Sequence, residues 1–303
     1  MSMNKTIDYR KYLDPEHISK LSGLDIIARL VVEGFITGLH RSPYHGFSVE
    51  FSEYRPYMPG DSVRNIDWKV LGRTERYYVK QFEEETNLRA YLLLDSSGSM
   101  GYSSLNITKL QYAQYLGAAL TYLLLKQRDA TGLVTFSDHI KTFLPPRSVF
   151  SYLNQILKEM DSLTPAGETK VADTFHLLAE RIKKRGLIII LSDLFDNPDH
   201  ILTALKHLRH KKHEIIVFHI LDPMEIQFSF GDDTVFIDLE TEEKIQTFPK
   251  HIKGDYRQQI KEFLKRYKRE CFQHKIDYHQ VSTNKPFDQT LYHFLMKRKK
   301  MGG

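Results

Sequence analysis

From Leu88 onward the chain alternates between two hydrophobic patterns. The near-continuous apolar runs "LRAYLLLD" (88–95), "GLVTF" (132–136), "GLIIILSD" (186–193) and "EIIVFHILD" (214–222) read as strands buried on both faces, as in a parallel sheet. Between them the apolar residues recur at helical spacing. In 109–127 these are Leu110, Ala113, Leu116, Leu120 and Leu123/Leu124, and 149–160, 171–184 and 198–210 behave likewise. A strand at 276–282 and a helix at 287–298 close the series. This alternation predicts an α/β fold with an open, doubly wound, mostly parallel sheet. The segment "DDTVFIDLETEEKIQTF" (232–248) alternates apolar and polar residues around "ETEE", which predicts an inserted antiparallel hairpin.

The first 87 residues follow a different rhythm. A helix near 15–36, strand-like "FSVEFSEYRPY" (47–57), the turn "MPGD" and strand-like "RYYVKQFEEE" (76–85) predict a smaller α+β unit. The expected organisation is therefore residues 1–87 as an N-terminal unit and 88–303 as the α/β domain, with the hairpin insertion near 223–255.

Composition narrows the setting. The most apolar N-terminal stretch, "LDIIARLVVEGFITGL", carries Asp25, Arg29 and Glu33, so it reads as an amphipathic helix and not as a membrane span or signal core. The cytoplasm is the expected compartment. A single cysteine, Cys271, excludes an internal disulfide framework and a cysteine-based zinc site. The net charge of +5 is modest, and the clusters at 209–213, 264–271 and 297–300 read as solvated helix faces and a polar tail.

The candidate chemistry lies where two apolar strands end in an acid, at Asp95 and Asp193. In open α/β sheets ligands sit beyond the carboxyl ends of the strands. The loop "DSSGSMG" adds Ser97 and Ser99, with Gly98 and Gly101 expected to allow a tight turn, and "LTPAGETKVA" (163–172) adds Thr169 near a helix start. Two carboxylates and several hydroxyls form a hard oxygen set that suits Mg²⁺ or Mn²⁺, and with neither thiol nor nearby imidazole it does not suit zinc. So little negative charge would leave a divalent ion electrophilic, with room for an Asp or Glu from a partner protein. The bland alternative has Ser96, Ser97 and Ser99 capping the helix at 109–127.

"DSSGSM" resembles the D-x-S-x-S-M signature of von Willebrand factor A domains, which carry a metal-ion-dependent adhesion site. The resemblance implies Asp95, Ser97, Ser99, Thr169 and Asp193 as the metal set. The usual Gly-Gly-Thr stands here as Gly167-Glu168-Thr169, with Thr164 and Thr174 nearby as alternatives. Asp196 reads instead as a helix cap. "GFSVEFSEYRPYMPGDSVRNIDWKVLGRTERYYVKQFEEE" (46–85) resembles the hallmark of the bacterial family catalogued as domain of unknown function 58. That family resembles partners of MoxR-type AAA+ ATPases, which implies a non-enzymatic adaptor. Read from its residues, the hallmark is structural, with Asp61 as an N-cap, Trp68 as a buried anchor, and Arg55, Arg64 and Arg73 available to Asp61 and Asp67.

Three rival readings compete with this one. A serine hydrolase would use Ser99, Asp193 and His279, but Asp95 beside the serine disfavours an oxyanion. A Mg²⁺ nuclease would draw on Asp61, Asp67 and Lys69, whose spacing is too short to grip an ion from both sides. His207, His210 and His213 resemble a zinc set only superficially, since they have no acidic or thiol partner close in sequence.

Overall fold

A computed structural model of the protein describes residues 23–40, 55–56, 71–72, 77–79, 88–167, 170–231, 234–237, 244–247, 249–287 and 290–292. Most of the 46–85 hallmark, including Asp61, Asp67, Trp68 and Lys69, lies outside these residues, as do Thr169 and the 297–300 cluster.

The chain enters through α1 (Leu24–His40) and a short antiparallel pair, β1 (Arg55–Pro56) and β2 (Tyr78–Val79). The sheet is then built by β3 (Arg89–Asp95), β4 (Ala130–Phe136), β5 (Ile140–Arg147), β6 (Leu187–Ser192), β7 (Glu214–Leu221) and β10 (Asp277–Ser282). Its strand order is β10-β7-β6-β3-β4-β5. All neighbours are parallel except β4 and β5. The connecting helices are α2 (Lys109–Lys126), α3 (Tyr152–Asp161), α4 (Val171–Arg181), α5 (Pro198–His210), the short α6 (Pro223–Gln227) and α7 (Pro249–Gln273). A hairpin of β8 (Thr234–Ile237) and β9 (Lys244–Thr247) pairs antiparallel between α6 and α7. The expected α/β class with its inserted hairpin is the observed one.

Strand alternation divides the core into two layers. Leu92 and Leu94 of β3, Ile189 and Leu191 of β6, and Ile216 and Phe218 of β7 pack with α1, α2 and α3. Leu93, Ile190 and Val217, on the opposite face, pack with α4, α5 and α7. Each such leucine, fully withdrawn from water, stabilises the fold by about 2 kcal/mol. Along α1, Leu24, Ile27, Ala28, Val31 and Val32 form one apolar stripe in the same layer as α2.

Two elements depart from the sequence expectation. β5, "IKTFLPPR", is only half buried along its length and holds Pro145 and Pro146, so it has no clean strand pattern. An edge strand tolerates both features. Residues 223–227 and 249–255, placed by the sequence within the hairpin insertion, instead form α6 and the start of α7. No helix among the described residues is long and apolar enough to cross a membrane.

Candidate functional site

Register sets the geometry. Leu94 pairs with Leu191 and Ser192 with His219, so Asp95, Ser192 and His219 stand abreast at the carboxyl edge of the sheet. Ser192 Oγ donates to Asp95 Oδ2 at 2.5 Å, and Ser97 N donates to Asp95 Oδ1 at 2.9 Å. Asp95 is fully buried. Burial, and then the neighbouring Asp193 carboxylate, raise its pKa to about 7, and these hydrogen bonds offset only part of the rise.

Beyond Asp95 the chain makes a single 3₁₀ turn, Gly98–Gly101. The hydroxyls of Ser97 and Ser99 lie 3.1 Å apart. The rim loop is fastened to the loop before α4 by two backbone bonds, Gly98 N to Gly167 O and Ala166 N to Ser96 O, each 3.0 Å. Lys141 Nζ adds bonds to Ser96 Oγ at 3.0 Å and to Ala166 O at 3.3 Å. Gly101 closes that turn and also serves close packing, since a Cβ there would stand 3.0 Å from Pro165 Cβ. Left-handed backbone at this rim occurs at Gly167, at φ 88°, and at Leu194, at φ 50°.

The serines do not cap α2. That role belongs to Thr108, whose hydroxyl accepts from Gln111 N while the Gln111 side chain accepts from Thr108 N. This removes the bland reading of Ser97 and Ser99 as caps. Asp196 is not the cap of α5 either. Asn197 is, and the Asp196 carboxylate reaches Ala172 N at the start of α4. Of the alternatives to Thr169, Thr164 is exposed, while Thr174 is buried within α4.

Asp193 is also fully buried, and its principal partner is one the sequence did not suggest. Lys109, the first residue of α2 and likewise buried, places Nζ 2.7 Å from Asp193 Oδ2 and 2.5 Å from Glu225 Oε1 on α6. Its ammonium also lies over the Phe195 ring, 4.7 Å from the centroid. Burial opposes the charged form of Lys109, but Asp193 and Glu225 outweigh it and hold the pKa above the usual lysine value. Burial raises the Glu225 pKa, and Lys109 offsets this only in part. Behind Asp193, His219 Nε2 meets the Asp193 carbonyl at 2.6 Å and Nδ1 meets the Tyr278 hydroxyl at 2.7 Å. A carbonyl can only accept, so Nε2 carries the hydrogen and Nδ1 accepts from Tyr278. Burial pushes this imidazole down to about 4, which keeps it neutral.

The chain has one signal that bears on Lys109. It follows the capping Thr108, so it begins a helix aimed at the site, although a lysine at a helix start normally reads as solvated. The row of Ser192 and His219 follows from strand register, which a single sequence does not give.

The hydrolase set does not assemble. His279 lies on β10, three strands from β3 and so roughly 14 Å away at the usual strand spacing, with its ring stacked on Phe218. His207 pairs with Glu180 and His176, whereas His213 is buried against the Ile182 carbonyl, so the supposed zinc set diverges. Among the described residues no group of three or more His, Cys, Asp or Glu is placed to hold a metal ion. Any ion at this rim would therefore depend on hydroxyls as well as carboxylates. The donor chemistry at Asp95, Ser97 and Ser99 fits a hard divalent cation: one under-compensated buried acid beside two hydroxyls.

Known proteins resemble this chain at modest identity. The uncharacterized protein Rv1480 of Mycobacterium tuberculosis is 27% identical over 231 residues, covering 75% of this chain and 72% of that protein. The crystal structure of the conserved hypothetical protein BatB from Bacteroides thetaiotaomicron is similar at 16% identity and a TM-score of 0.47, covering 70% of this chain and 99% of its own. Manganese-loaded TRAP protein from Plasmodium vivax is similar at 21% identity and a TM-score of 0.32, covering 44% of this chain and 56% of that one. A family model matches residues 53–268, well over half the chain, and the protein belongs to that family, described as protein of unknown function DUF58.

Proposed function

We propose that this chain is a non-enzymatic protein-interaction module whose sheet rim takes a divalent cation, Mg²⁺ or Mn²⁺. In this reading Asp95, Ser97 and Ser99 are its principal holders, Asp193 stands behind, and Thr169 is the further ligand expected from the sequence. A cation bound there would supply an electrophilic position for an anionic oxygen. A partner's Asp or Glu is the expected occupant, and a MoxR-type AAA+ ATPase is the proposed partner.

The observation that supports this best is the buried Asp95 carboxyl group, which has no ion-pair partner among the described residues while the Ser97 and Ser99 hydroxyls converge beside it. A buried acid in that state favours whatever brings positive charge to it. The residues divide the work: Ser192 and Ser97 N fix both Asp95 oxygens, and the bonds between the 96–98 and 166–167 loops hold the hydroxyls at one rim. His219 and Tyr278 buttress the Asp193 backbone from behind.

Calorimetry with Mn²⁺ tests the reading. Asp95→Ala is expected to abolish binding while circular dichroism remains unchanged, and undiminished binding in that variant would overturn it. Pull-down of the ATPase should in turn be lost in chelator. Chelator-insensitive capture would remove the metal from the interaction.

A further inference from the structure

The outer edge of the sheet offers a second surface. β10 has a single strand neighbour among the described residues, β7. Thr283 N donates to Leu221 O at 3.0 Å, so by alternation Asp277, His279 and Val281 turn their backbone groups toward β7, and Tyr278, Gln280 and Ser282 turn theirs outward. The Ser282 carbonyl is taken up by Lys285 N at 2.9 Å, which leaves the outward edge at Tyr278 and Gln280. β10 carries neither lysine nor proline, the usual guards of an exposed edge. After it the chain turns to the opposite layer, where Phe287 stacks on Tyr112.

α7 flanks this edge and forms with it a groove of about 730 Å³. Ile260 and Leu264 give the groove an apolar lining, and Lys261, Lys265 and Lys268, spaced along one face of the helix, stand beside them with Arg257. Arg257 is engaged with the Gln227 carbonyl, at 2.6 Å. The three lysines are exposed, and none is ion-paired among the described residues; the pairs of this stretch run through Arg266, Arg269 and Glu270. The acids carried by α7 and β10 are Asp255, Glu262, Glu270 and Asp277, and none of them lines the groove.

We propose that this groove takes an extended acidic segment of a partner protein, which adds to β10 as a further strand and lays its alternate, acidic side chains against Lys261, Lys265 and Lys268. Main-chain bonds to Tyr278 and Gln280 supply the grip, and the lysines select for charge. The surface is separate from the cation rim, since β10 lies three strands from β3 and strand addition needs no metal.

The test uses the full chain and a capped, dye-labelled peptide alternating glutamate and threonine, followed by fluorescence anisotropy. Binding is expected at low salt, weakening as salt rises, and a peptide alternating lysine and threonine should not bind. Reversing the three exposed lysines together, Lys261→Glu, Lys265→Glu and Lys268→Glu, should weaken binding on the order of tenfold or more. Gln280→Pro removes one outward amide at a position where an edge strand tolerates proline, leaves the lysines in place, and should weaken binding on the order of fivefold. Should Gln280→Pro fail to fold, the peptide takes its place: methylated at either its glutamate or its threonine amides, it should lose binding in whichever form blocks the amides that face β10. No binding by the natural chain overturns the inference, as does undiminished binding in the folded lysine or proline variant or by both methylated peptides. Binding lost in chelator would move the acidic segment to the cation rim, and a dimer of the natural chain that Gln280→Pro dissolves would make a second copy the occupant; either result overturns it too.

Discussion

The Ser192 hydroxyl and the Asp95 carboxylate join the ends of the two central strands through a buried bond of 2.5 Å. Ser192 Oγ also accepts from Leu194 N at 2.9 Å, so one hydroxyl fixes the acid and the turn that follows β6. Ser192→Ala removes both. The expected cost is about 1–3 kcal/mol, typical of a buried polar group losing its partner, together with a further rise in the Asp95 pKa. Urea denaturation measures the first and carboxyl carbon NMR the second. A loss below about 0.5 kcal/mol would mean that water or a neighbour replaces the bond.

The pH dependence follows from two groups with opposite signs. Asp95 titrates near 7 in the fold against 3.8 ordinarily, so between those values the native state holds a proton that the unfolded chain has released, and stability falls as pH rises. His219 titrates near 4 against 6.5, so between those values the unfolded chain holds the extra proton, and stability falls as pH drops. From pH 4 to 6.5 the two slopes largely cancel. Asp95→Asn should expose the histidine slope, with stability rising by about 3 kcal/mol across that window, and His219→Asn should expose the opposite slope of similar size. Urea titrations at several pH values test this, and parallel profiles in both variants would contradict it.

Asp222 ties α6 to the rim. Its carboxylate caps α6 through Met224 N at 2.8 Å and receives both Ser104 N, at 2.9 Å, and the Ser104 hydroxyl. The Glu225 side chain in turn accepts from Asp222 N at 2.8 Å. Asp222→Ala is expected to destabilise the protein by about 2–3 kcal/mol, as the summed loss of a cap and a buried acceptor suggests, read as a lowered urea midpoint. An unchanged midpoint would make α6 a dispensable appendage.

Cys271 offers a direct check on the second core layer. It is buried beside Tyr267 on the inner side of α7, and burial pushes its thiol up to about 12. Native protein should resist iodoacetamide at pH 8 and react fully in denaturant, as mass spectrometry would show. Rapid labelling of the native chain would place α7 away from the sheet.

The strand-end acids were legible because a buried parallel strand must be apolar throughout, so an acid closing "AYLLLD" or "IIILSD" marks the sheet edge unaided. Ser97 and Ser99 followed from proximity in sequence. Lys109 and Glu225 did not, because their pairing depends on α2 and α6 meeting across 116 positions, and neither residue type signals burial. β5 escaped for another reason. Half exposed and interrupted by prolines, it lacks both periodicities that reveal strands, and its place comes from pairing with β4. α7 is so polar that its pattern shows helix only over the stretch where Tyr267 and Cys271 turn inward.

The paired amide–carbonyl bonds between the 96–98 and 166–167 loops imply that these two segments travel as one plate. A visitor engaging either segment meets the other already aligned, so little of its grip is lost to freezing mobile chain. Recognition at such a plate should be quick to form, with discrimination among visitors arising from how fast they leave.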